Sequence, residues 1–183
     1  MWLAPAAAGA FLVRPAGSFV GMDTKELLFF LDACRRGDAD DVAQMCSAFP
    51  QLINAADAKG FTPLIIAAYN NHTGVVQYLL EHGAAADAAD RSGNTALMGA
   101  AFKGYAGVAD VLLQHGADVH VRNGQGATAL TFAATFGQVA LAKKLLAAGA
   151  DASVPDSRGK TPIDHARIQE HEAMLQLLTG AHQ

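Results

Sequence analysis

Seven histidines and two cysteines are the residues of this chain best suited to metal or nucleophilic chemistry. Zinc sites gather such ligands at short, paired spacings, and a thiol nucleophile needs a base within hydrogen-bond reach. Neither pattern is found here. His165 and His171 stand six residues apart, without a cysteine or carboxylate pattern to complete a zinc site. His82 and His115 each directly precede a glycine, Gly83 and Gly116, at the end of an apolar helical stretch. An imidazole there suits the negative end of the helix dipole and the last free carbonyls. His72 shares its place with Tyr105 and Gln138, so several side chains serve there, and His120 falls in a loop. Cys34 and Cys46 occupy apolar positions of predicted helices and read as buried, reduced thiols, with a bridge or a metal as the alternative. Asp38, Asp40 and Asp41 are placed to open a helix, where carboxylates favour the positive dipole end. The run Gly124-Gln125-Gly126 lacks the Gly-Lys-Ser/Thr of a phosphate loop, and no nucleophile elbow is present. The expectation is a chain without catalytic residues, metal or cofactor.

The totals narrow the partner class. The net charge is −4 and charged residues make up 16% of the 183 residues. Nucleic-acid binding needs a basic footprint, which this balance does not supply. Hydrophobic residues reach 51%, much of it alanine, with only 7% aromatic. Small apolar side chains suit helices that pack closely. Residues 1–22 are apolar and rich in small residues, but Pro5 and Pro15 interrupt them and no Lys or Arg precedes Arg14. A secretory signal has a charged start and an unbroken apolar run, and a membrane span needs about 20 apolar residues. The segment reads as a disordered extension, with Met22 as a possible alternative start. A cytoplasmic location and no membrane association are expected, with export through an atypical signal as the alternative.

The elements are set by a repeat. Gly60, Gly93, Gly126 and Gly159 recur every 33 residues. Thr62, Thr95, Thr128 and Thr161 keep the same phase, as do Leu64, Leu97, Leu130 and Ile163. A second series, Gly83, Gly116 and Gly149, is followed each time by alanine. Each unit reads as a turn opened by Asp57, Asp90, Asn123 or Asp156, then a threonine-capped short helix rich in alanine. Pro63 and Pro162 fall at the first helical position, where no N–H is needed. After a break at Asn71, Gly104 or Gly137, a second helix carries an apolar stripe such as Val75-Val76 and Leu79-Leu80. Glycine then caps its end.

The string Gly60-Phe61-Thr62-Pro63-Leu64-Ile65-Ile66-Ala67-Ala68 and the segments Leu79–Ala84 and Leu112–Val119 resemble the ankyrin repeat. The resemblance implies an all-α solenoid of about five helix-turn-helix units joined by β-turn loops. Residues 23–183 would form it, with units near 24–56, 57–89, 90–122, 123–155 and 156–181. The first unit diverges, with a capping box at Asp23-Thr24-Lys25-Glu26 and one extra residue after its second helix. The family's histidine after Thr-Pro-Leu is replaced by Ile65, Met98, Thr131 and Asp164, which puts the hydrogen bonds between neighbouring turns in doubt. The alanine-heavy repeats without the family's histidine resemble those of small stand-alone bacterial ankyrin proteins.

The resemblance also implies a job, protein–protein interaction through a concave face of turn tips and first helices. The positions it points to are Arg35, Arg36, Lys59, Phe61, Tyr69, Asn70, Asn94, Phe102, Lys103 and Phe136. Tyr69, Phe102 and Phe136 fall on three successive units, and aromatic and arginine side chains carry most interface energy. The alternative is that these rings pack between neighbouring first helices. A basic fringe from Arg35, Arg36, Lys59 and Lys103 predicts a partner with an acidic patch. A monomer is expected, with a self-associating structural protein or an accessory, immunity-type regulator of an enzyme as alternatives.

Overall fold

The computed structural model describes residues 24–180. The predicted extension and Asp23 of the expected capping box lie outside these residues. Ten α-helices and one 3₁₀ turn follow in order: α1 (Thr24–Arg36), α2 (Ala39–Ala48), the 3₁₀ turn Pro50–Asn54, α3 (Pro63–Tyr69), α4 (Thr73–Glu81), α5 (Ala96–Lys103), α6 (Ala106–Gln114), α7 (Ala129–Thr135), α8 (Val139–Ala147), α9 (Pro162–Ile168) and α10 (Glu172–Gly180). They form five antiparallel pairs. Each first helix packs on the first helix of the next unit, and the second helices stack in a parallel row behind them. The chain is an all-α repeat solenoid, and among the described residues the β-structure is one bridge between Ala89 and Thr95.

Local chemistry starts each first helix. The hydroxyl of Thr62 accepts from the N–H of Ile65 at 3.2 Å, and Thr95, Thr128 and Thr161 cap α5, α7 and α9 in the same way. These caps satisfy one of the orphan N–H groups of the first turn. Ahead of them, Asp57 Oδ1 accepts from the N–H groups of Lys59 and Phe61, and Asp90, Asn123 and Asp156 do the same in their units. Gly60 has φ +86°, and a Cβ on it would lie 2.7 Å from the backbone nitrogen of Arg91. Glycine is thus required twice there, for the left-handed conformation and for the close approach of the next turn.

That approach answers the doubt about the missing histidines. Neighbouring turns are tied by backbone: Arg91 N–H donates to Lys59 O at 3.1 Å, Gly124 N–H to Ser92 O at 2.8 Å and Ser157 N–H to Gln125 O at 2.8 Å. Two of the replacements, Thr131 and Asp164, instead reach back to the backbone N–H of Thr128 and Thr161 and complete capping boxes.

The core is one continuous apolar cluster from Leu27 to Leu178. The alanine pairs Ala67-Ala68, Ala100-Ala101 and Ala133-Ala134 are wholly buried where first helices approach, which explains the alanine bias of the sequence. In the first unit the extra length after α2 is taken up by the 3₁₀ turn, which buries Leu52 and Ile53. Asn54 at its end donates to Gly83 O at 3.0 Å and accepts from Ala85 N–H at 2.8 Å, joining the divergent unit to the next.

Candidate functional site

A row of rings runs along the C-terminal ends of three successive first helices. Tyr69 ends α3, Phe102 lies near the end of α5, and Phe136 caps α7. The Tyr69 and Phe102 rings are nearly parallel at 6.2 Å between centroids, and Phe102 meets Phe136 edge-on at 4.5 Å. Both distances fall in the range where aromatic pairs attract. Tyr69 and Phe136 nevertheless stay 44% and 45% exposed. The rings thus pack on one another across units while keeping a face to solvent, rather than being consumed between the helices. Lys103 Nζ stands 4.6 Å from the Tyr69 centroid and 5.5 Å from that of Phe102, within cation–π reach of both.

Beside the row lies an apolar groove of about 470 Å³. Of the residues the sequence points to, Arg35, Phe61, Tyr69, Asn70, Asn94 and Phe102 line it. Arg36, Lys59, Lys103 and Phe136 do not. Phe136 borders a smaller hollow of about 160 Å³ toward the last unit. The groove is also lined by Ile65, Ile66, Met98, Gly99 and Phe132, which sequence reasoning missed. Ile66, Gly99 and Phe132 share one register, the position before each alanine pair, and that register was the signal available.

The basic fringe is uneven. Arg36 is engaged by three carboxylates, Asp32 at 2.9 Å, Asp41 at 3.2 Å and Asp38 at 3.3 Å, and Arg35 meets Asp32 at 3.3 Å. The acidic cluster works locally as well, because Asp38 caps α2 by accepting from Asp41 N–H. Lys59 is exposed at a turn tip. Asn70 donates to Ile66 O at 2.8 Å, and Asn94 bridges Asp90 and Asn123 across two turns, so both amides serve the fold.

Four of the histidines, His72, His82, His165 and His171, have side-chain partners within the fold. His82 caps α4, its Nδ1 at 2.8 Å from Tyr78 O and its ring stacked on Tyr78. His72 and His171 reach across units: Nε2 lies 2.8 Å from Arg35 O in one case and 3.2 Å from Thr135 O in the other. A carbonyl can only accept, so Nε2 carries the proton in both. Both cysteines are buried and free. Burial, then the neighbouring Cys46, pushes the Cys34 thiol up to about 12, which keeps it from acting as a nucleophile.

Two family profiles described as ankyrin repeats match this chain, one of three copies over residues 30–123 and one of many copies over residues 112–166. The chain is also 38% identical over 69 residues to the BTB/POZ domain-containing protein 3 of Schizosaccharomyces pombe. That match covers 38% of this chain and 13% of the yeast protein. With the helix pairs, the turn chemistry and the profile matches in agreement, the chain belongs to the ankyrin-repeat family.

Proposed function

We propose that this protein is a non-catalytic binding module that docks a partner protein on its concave face around Tyr69, Phe102 and Phe136. Ankyrin repeats are generally protein–protein interaction modules. The observation that carries the reading is the row of half-exposed rings next to an apolar groove. Folding alone gives no reason to leave Tyr69 and Phe136 this exposed on the units either side of Phe102, and such anchors dominate binding energy. The fold binds as a monomer in this reading, and the cation expected to meet an acidic partner is Lys103 rather than Arg36, whose charge is already matched. Buried, reduced thiols fit a cytoplasmic location.

Affinity capture from an extract of the source cell tests this. The wild-type chain is compared with the triple variant Tyr69→Ala, Phe102→Ala, Phe136→Ala, after both show the same helical circular dichroism. A prey retained by wild type and lost by the variant is expected. Identical preys on both would sink the reading.

A further inference from the structure

The register just before the buried alanines Ala33, Ala67, Ala100, Ala133 and Ala166 carries Asp32, Ile66, Gly99, Phe132 and His165 in successive units. Gly99 alone has no side chain, and it sits inside α5. Its φ is not left-handed. A Cβ built there would meet only Tyr69 Cδ2, at 3.6 Å, an ordinary contact. Neither backbone nor space requires glycine, and a helix interior disfavours it. What its bare backbone does is open a notch between Ile66 and Phe132, walled by Tyr69, Met98 and Phe102.

We propose that this notch seats one aromatic or large aliphatic side chain of a partner's extended segment, with an acidic residue beside it that pairs with Lys103. The inference rests on the concave-face reading above and gives it a chemistry. The groove that contains the notch, about 470 Å³ in all, is at the lower end of ligand pockets, enough for one bulky side chain and its flanking backbone. Charge at the rim selects the neighbour. Asp90 is turned into its own loop, accepting from Ser92, Asn94 and the Asn94 amide. Arg35 is paired with Asp32. Lys103 is exposed and has no carboxylate within ion-pair distance among the described residues. It stands over the Tyr69 and Phe102 rings that wall the notch, in place to receive a partner's acid.

The test selects a phage-displayed library of random dodecapeptides on the full chain, then measures synthetic copies of the winners by calorimetry. Expected winners carry Trp, Phe or Leu within about three residues of Asp or Glu. Their affinity should fall about tenfold or more with Gly99→Leu, and about threefold or more with Lys103→Glu, the latter restored when the peptide's acid becomes lysine. Gly99→Ala guards against a folding artefact, because it should raise the melting midpoint and still weaken binding. Winners lost with Tyr69→Ala but unchanged by Gly99→Leu and Gly99→Ala would overturn the notch and spare the concave-face reading. Winners indifferent to all these changes, or none at all, would overturn both. A wild-type dimer in light scattering that Gly99→Leu dissociates would make the notch a self-interface and also overturn the proposal.

Discussion

Three donors converge on the carboxylate of Asp156: the N–H of Arg158 at 2.8 Å, the N–H of Lys160 at 3.0 Å and His165 Nε2 at 2.9 Å. Burial alone would raise this carboxyl, but the hydrogen bonds and the neighbouring imidazole outweigh it and hold the group below its usual range. Asp164 is held low too, by the backbone and hydroxyl of Thr161 and by Arg167. A carboxyl whose folded value is depressed adds stability above its unfolded value, and that stability is lost as pH falls through the folded value. Asp156→Asn should therefore cost stability near neutral pH. The gap to wild type, read from urea midpoints, should narrow below pH 3.8 and close once both states are protonated. A gap that widens on acidification would contradict this account. At this scale the turn aspartate was legible in the sequence, because its partners lie within four residues. Its contact with His165, one helix further on, was not.

Two glycines of helix α5, Gly99 inside it and Gly104 at its C-cap, have opposite roles. Gly104 ends it with φ +77°, and the Gln138 amide fills the space a Cβ would need. Gly99 has neither constraint. Gly104→Ala should lower stability by about 1–2 kcal/mol through left-handed strain alone. Gly99→Ala should raise it by up to about 1 kcal/mol, since glycine is the poorer helix former. Urea unfolding of the two variants reads both signs in one experiment. Helix starts and stops were readable throughout because capping is local, as at Thr62 and Gly60. Links such as His72 to Arg35 and His171 to Thr135 were hidden, since they join residues 37 and 36 positions apart. The sequence marked that position as tolerant, whereas the structure makes it a strut between units.

The whole molecule is held by contacts between adjoining units. In such an array stability is a sum of unit and nearest-neighbour terms, so damage spreads only as far as the interfaces it weakens. Leu112, fully buried in α6 of the middle unit, packs in the row joining α4 and α8. Leu112→Ala should cost about 3 kcal/mol. By hydrogen exchange it should deprotect amides of the second, third and fourth units together. Met174→Ala in α10, equally buried but terminal, should deprotect the last two units and leave α3 and α4 at wild-type protection. Equal effects of both variants on α3 would show a more cooperative solenoid than this geometry implies.

The spacing of Gly, Thr and Leu in this chain determined the repeat, the helix pairs, the caps and the small residues at the helix contacts. Those depend on neighbours a few residues away and on a period repeated often enough to read. It also placed Tyr69, Phe102 and Phe136 on one face. Only the tertiary structure decided which charges on that face are free. Arg36 looked the same as Lys103 in the sequence, yet three carboxylates surround the first, while the second stands over two rings. It also decided that Gly99 opens a hollow, because the space depends on the side chains of Ile66 and Phe132 in the two adjoining units. The physical reason is one of range: periodic signals report what a residue does within its own unit, while grooves and charge pairs depend on how units stack.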